Sequence, residues 1–211
     1  MQAMNAVHEP GTARLPRLVL ASGSPRRIQL LSQLGLPFDV VPSEIDETLR
    51  SGEEPAPHAE RLAREKALAV AARHPDAVVL GADTVVVVDG DVLGKPLDTE
   101  HAVRMLLRLQ GREHTVATGV AVAHDGGRVV SGVEQVRVRF RRFDEALARA
   151  YVSTGEPLDK AGAYGIQGYG SALVEGIEGD YFAVIGLPVV RLLTQLELLG
   201  LHYDFRGLSR R

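Results

Sequence analysis

Residues 78–88, VVLGADTVVVV, form an eleven-residue apolar run interrupted by one polar pair, Asp83-Thr84. A continuous run of β-branched residues at this length is the pattern of a buried strand. A strand apolar at every other position has no use for a carboxylate in its middle. Burying Asp83 is costly unless the group is paired, hydrogen-bonded or bound to a cation. The run therefore sets two constraints together: a sheet with a covered central strand, and a reason for Asp83 to be there.

The rest of the chain supplies the cover. Residues 18–21 read as a second buried strand, followed by a helix over 25–34 with Ile28, Leu30, Leu31 and Leu34 on one stripe. Ser24 stands at the N-cap position and Pro25 at the first helical position. A short strand is predicted over 38–41 and an alanine-rich helix over 58–73. Asp89-Gly90 turns the long strand into residues 91–93. A helix follows over 99–109, with Asp98 or Thr99 at its cap. Residues 114–124 and 129–140 read as a long hairpin joined by DGGR, and 144–152 as a short helix. A final hairpin is predicted near 172–185, turning at Glu178-Gly179-Asp180, and a closing helix over 187–199. Strands and helices alternate early and hairpins dominate later. That order predicts an α/β fold, a mixed sheet flanked by helices and divided into two lobes by a cleft. Residues 1–16 are expected to be a flexible extension, 17–203 a single domain, and 204–211 a solvated C-terminal tail.

Composition removes several function classes. Apolar residues make up 45% of the 211 residues, enough for a substantial core, and the formal charge is −3. No overall basic field draws the chain to nucleic acid. There is no cysteine, so disulfides, thiolate metal sites and cysteine nucleophiles are excluded. That fits a cytoplasmic location. No apolar run approaches a membrane span. No serine sits in a nucleophile elbow, and the seven histidines are scattered without metal-ligand spacing.

Four stretches carry chemistry-bearing side chains. In LVLASGSPRR, residues 18–27, a strand ends at Ser22 and Ser24, and Arg26-Arg27 open the next helix. A helix start with hydroxyls and guanidinium forks suits a phosphate, although a capped helix with two solvated arginines has the same pattern. Lys95 follows the Asp83 strand on a Gly-Lys-Pro turn. Glu44 and Asp46, in PSEIDE, fall on one side if the segment alternates. With Asp83 they would make an oxygen-rich Mg²⁺ or Mn²⁺ site completed by phosphate oxygens. Alone, they read as an acidic loop. Residues 153–170, STGEPLDKAGAYGIQGYG, are glycine-dense and long for a plain connection. Asp159, Lys160 and Gln167 supply its polar heads. Lys66 reads as a solvated helix residue.

Taken in order, ASGSPRR, GADTVV, GKP, STGEPLDKAGAYGIQG and GLP resemble the Maf family of nucleoside triphosphate pyrophosphatases, over about residues 18–201. The resemblance implies an α/β fold with a twisted mixed sheet and a cleft between two lobes, similar to the inosine triphosphate pyrophosphatases. It implies hydrolysis of a nucleoside triphosphate to monophosphate and pyrophosphate with a divalent cation. It places the family's catalytic aspartate on Asp83 and polar cleft positions on Ser22, Arg26, Arg27, Glu44, Lys66 and Lys95. Three specificity positions fall on Arg26, Thr84 and Gln167, the set of the dTTP/UTP branch. The branch acting on 7-methyl-GTP carries tryptophan, glutamine and glutamate there. A homodimer would suit the family. Members have also been linked to inhibition of septum formation, so the second reading is a nucleotide-binding regulator without turnover.

Overall fold

The computed structural model describes residues 17–124 and 126–210. The extension expected over 1–16 lies outside the described residues. The chain runs β1 (Arg17–Leu20), α1 (Pro25–Gln33), β2 (Asp39–Val40), α2 (Pro55–Ala71), β3 (Ala77–Val88), β4 (Asp91–Leu93) and α3 (Thr99–Leu109). It continues with β5 (Glu113–His124), β6 (Arg128–Phe140) and α4 (Glu145–Ser153), then three 3-10 turns at Glu156–Asp159, Ala161–Ala163 and Gly168–Ala172. Last come β7 (Val174–Glu178), α5 (Tyr181–Ile185), α6 (Val189–Leu198), β8 (Leu201–Tyr203) and β9 (Leu208–Arg210). The main sheet has the order β2-β1-β3-β5-β6-β7, with β4 beside β3. β1 is parallel to both β2 and β3, and the remaining pairings are antiparallel. The expected mixed α/β sheet flanked by helices is the observed one.

Both faces of β3 are covered. α2 packs on the face that carries Val79, Val85, Ala117 and Ala121. Its close approach depends on glycine: a Cβ on Gly119 would lie 2.7 Å from the Glu60 nitrogen and inside the Ala59 carbonyl. Gly81 meets the Ala63 carbonyl in the same way. The opposite face carries two separate cores. One gathers Leu18, Leu20, Leu31, Leu80, Ala82, Val120, Leu192 and Leu196. The other gathers Val86, Val116, Leu106, Leu109, Phe140 and Tyr164. Between them on that face stand Thr84 of β3 and Thr118 of β5, directly paired in register. These two cores are parted at the polar threonine pair.

Three local expectations are corrected. Residues 179–185 do not return as a strand. Asp180 accepts a hydrogen bond from the Phe182 nitrogen at 2.8 Å and caps α5, while β7 pairs with β6 alone. The tail expected over 204–211 carries β9, which pairs antiparallel with β8 and buries Leu208 against the first core. Ser24 occupies the N-cap of α1 but makes no side-chain cap bond. Instead the Ser22 hydroxyl accepts from the Ser24 nitrogen at 3.3 Å.

Candidate active site

The long strand outruns β1 and β4, its neighbours on one edge. β1 pairs with β3 only over residues 77–80, and β4 only over 86–88, so one edge of β3 is unpaired over 81–85. Asp83 and Thr84 lie at the centre of that gap. The carboxyl ends of the parallel strands β1 and β2 open onto it, which is where open α/β sheets place their ligands.

Because strand side chains alternate, Asp83 and Thr84 face opposite sides. Asp83 is buried on the α2 side and accepts a hydrogen bond from Lys66 Nζ at 2.7 Å. Lys66, expected as a solvated helix residue, is itself buried, and its ammonium also lies 2.6 Å from Glu47 Oε1. Burial works to raise the Glu47 carboxyl, but the hydrogen bond from Lys66 and the charges of Lys66, Lys95 and Arg27 hold it below its ordinary value. Lys66 thus stands between two carboxylates.

Thr84 faces the α1 side. Arg27 Nη2 donates to Thr84 Oγ1 at 3.1 Å, Nη1 donates to Ser22 Oγ at 3.1 Å, and Nε donates to the Gly186 carbonyl at 2.8 Å. The Thr118 hydroxyl lies 3.0 Å from Thr84 Oγ1 and donates to the Ala183 carbonyl at 2.7 Å. One guanidinium therefore joins the end of β1, the middle of β3 and the turn after α5. Arg26 turns the other way and meets Asp159 at 3.3 Å, while Lys160 Nζ lies 2.6 Å from the same carboxylate. Burial opposes the charge on Asp159, and the Lys160 and Arg26 cations outweigh it. That link ties α1 to the glycine-dense segment.

Of the residues expected at the site, Ser22, Arg27 and Thr84 are joined by hydrogen bonds on one face of β3, and Asp83 and Lys66 on the other. Arg26 reaches the site's rim through Asp159. Gln167 is half-buried on the glycine-dense segment, and Ser24 is half-buried at the start of α1. Lys95 is exposed on the turn after β4, close enough for its charge to act on Glu47. Glu44 is exposed, and among the described residues no bond joins it to Asp83.

The carboxylate that reaches Lys66 is Glu47, which the sequence reading did not single out. Alternation of Glu44 and Asp46 onto one side requires an extended segment. The chain instead folds back at Asp46, whose Oδ1 accepts from the Thr48 nitrogen at 2.9 Å and the Thr48 hydroxyl at 2.6 Å. Arg61 of α2 then fixes this loop, donating to the Thr48 carbonyl at 3.2 Å and to Glu53 at 2.6 and 2.7 Å.

Among the described residues no group of three His, Cys, Asp or Glu side chains is arranged to hold a metal ion. Asp83 and Glu47 do offer hard carboxylate oxygens on one lip of the gap. That donor set matches a magnesium-type cation, which takes one or two carboxylates and completes its shell with phosphate and water. No helix among the described residues is long and apolar enough to cross a membrane.

The family model described as Maf-like protein matches residues 17–199. The dTTP/UTP pyrophosphatase of Moorella thermoacetica is 56% identical over 188 residues, covering 88% of this chain and 96% of that protein. The dTTP/UTP pyrophosphatase of Myxococcus xanthus is 50% identical over 190 residues, covering 90% and 96%. A solved structure of a nucleoside-triphosphatase / dITP/XTP pyrophosphatase from Mycobacterium abscessus aligns over 87% of this chain and 96% of its own, at 16% identity and a TM-score of 0.40.

Proposed function

The chain belongs to the Maf-like protein family, and from that membership we propose that it hydrolyses nucleoside triphosphates, with UTP and dTTP preferred, to the monophosphate and pyrophosphate. The observation that carries this reading is Asp83, on an unpaired strand edge between the Lys66 ammonium on one face and the Arg27 guanidinium on the other.

In the proposed reaction a water oxygen forms a bond to the α-phosphorus and the α–β bridging bond breaks. The water proton passes to a carboxylate, and Asp83 is the group placed to orient or receive it. Lys66 offsets part of the charge of the two carboxylates before the substrate arrives. Arg27 and the start of α1 present donors to the polyphosphate, and exposed Lys95 adds a positive charge from the rim. Asp83 and Glu47 would hold a Mg²⁺ or Mn²⁺ ion, which when bound neutralises charge on the phosphate oxygens. Gln167, half-buried with an amide that both donates and accepts, suits the carbonyl–NH–carbonyl edge of uracil or thymine.

The test is pyrophosphate release from a panel of nucleoside triphosphates with Mg²⁺ or Mn²⁺. We expect release, highest kcat/KM for UTP and dTTP, loss of activity in EDTA and recovery on adding either metal. Orthophosphate instead of pyrophosphate would overturn the reaction assigned. Nucleotide binding without any release would favour the regulator.

A further inference from the structure

We propose that Glu156 is a positioning residue that shapes residues 165–170, and through them sets how Gln167 meets the nucleobase. The inference deepens the reading of Gln167 given above and rests on it.

Glu156 lies on the first 3-10 turn after α4. Its Oε1 accepts from the Tyr151 hydroxyl at 2.8 Å and from the Gly170 nitrogen at 3.0 Å, and its Oε2 accepts from the Tyr169 nitrogen at 2.9 Å. The Tyr151 hydroxyl in turn accepts from the Gly165 nitrogen at 3.1 Å. Both ends of the six-residue segment are thereby tied to one carboxylate and one phenol. Successive backbone N–H groups forming a concave anion seat are a known device for binding phosphate. Here the anion is supplied by the chain itself, so the seat's job is to fix the segment and not to take a ligand.

The segment is built for this wrapping. Gly168 has φ +64°, and a Cβ there would press on the Glu156 carboxylate, 3.1 Å from Cδ. Burial opposes the charge on Glu156, but the Gly170 and Tyr169 N–H groups, the Tyr151 hydroxyl and Lys160 hold it below its ordinary value. Burial and the Glu156 charge push the Tyr151 phenol up, so it remains a donor. Lys160 donates to the Glu156 carbonyl at 2.5 Å and sits on Asp159, which meets Arg26. The same turn therefore joins two of the three specificity positions expected from the sequence, Arg26 and Gln167. Gln167 itself makes no side-chain hydrogen bond among the described residues. Its amide is held only by the backbone that Glu156 shapes.

A neutral amide at position 156 keeps the volume but loses the charge and turns an N–H₂ group on the backbone donors. Small displacement of a base-reading amide costs recognition of the matching base more than it costs the mismatched one. We therefore expect Glu156→Gln to raise KM for UTP about tenfold while kcat stays within about threefold. The kcat/KM ratio of UTP to ATP should shrink by about the same tenfold. Tyr151→Phe, which removes one donor and keeps the ring, should shift the ratio in the same direction by less, and it carries the test if Glu156→Gln does not fold. Steady-state kinetics on both nucleotides, with thermal unfolding of each variant, reads these outcomes. A folded variant with the natural UTP-to-ATP ratio overturns the proposal. So does an equal fall in kcat for both nucleotides, the mark of a merely structural role. If the natural protein itself shows no preference for UTP over ATP, the reading of Gln167 fails first and the positioning role falls with it.

Discussion

Asp83 and Arg27 sit two strand faces apart, and each is fixed by a partner the other does not touch. Asp83 accepts from Lys66, whose second partner is Glu47. Asp83→Asn keeps volume and removes both charge and basicity. We expect kcat to fall by roughly 10²–10⁴-fold, the range of a positioned base, with the fold retained because Lys66 keeps Glu47. Near-normal turnover in a folded variant would remove Asp83 from the chemistry. Arg27 is a different case. An arginine that only awaited phosphate could be lost without a change in stability. This one donates to Ser22, Thr84 and the Gly186 carbonyl. Arg27→Ala should therefore cost roughly 1–3 kcal/mol by leaving those acceptors unpaired, a drop of several degrees in Tm, as well as weakening substrate binding. Calorimetry and KM on the same preparation check both halves.

Among the elements, α2 does the most positioning, because one helix carries Lys66 into the site and Arg61 onto the loop that presents Glu47. Its distance from the sheet is set by the two glycines beneath it. Gly119→Ala drives a methyl into the Ala59 carbonyl, a backbone atom that moves only if the helix moves. We expect destabilisation of about 3 kcal/mol, at the upper end of overpacking, with turnover in the folded fraction also reduced because Lys66 shifts with the helix. An unchanged denaturant midpoint would show that α2 has slack. The element that sequence periodicity misread, α5, teaches the opposite point. Residues 181–185 are apolar throughout, and such a short run reads equally as strand or helix. The Asp180 cap decides it.

The whole molecule should show a pH dependence that originates in the second core. His114 is buried between Phe140 and Tyr164, its Nε2 2.7 Å from the Tyr164 hydroxyl and its Nδ1 without a hydrogen-bond partner among the described residues. Burial pushes it down to about 4 from an ordinary 6.5. Between those values the unfolded chain takes up a proton that the folded chain refuses. Stability is then full above pH 6.5 and falls as pH drops toward 4, by about 3 kcal/mol in all. The carboxylates held low, Glu47, Glu156 and Asp159 among them, keep their full contribution above their ordinary values of 4.5 for the glutamates and 3.8 for Asp159, and lose it as pH falls below those values. Denaturant midpoints from pH 7 to 4.5 should show the slope, and His114→Phe should flatten it. A slope unchanged in that variant would assign it to other groups.

The buried strand, the sheet with helices on its faces and the motifs that mark the family are legible in the residues alone. Each is a local pattern: an apolar run, a cap, a glycine at a turn. Asp83 is legible as well, because a carboxylate inside such a run needs a partner wherever the run ends up. Which residue is that partner depends on how the chain folds. Lys66 looks like any surface lysine until α2 is laid on the sheet, and Glu47 is one acid among several until the Asp46 turn and Arg61 fold its loop back. The unpaired edge over 81–85 has no local signature either, since it comes from β1 ending and β4 beginning at different heights along β3. Pairing partners and side-chain neighbours far apart in the chain are set by how the layers close, and no window of sequence contains that information.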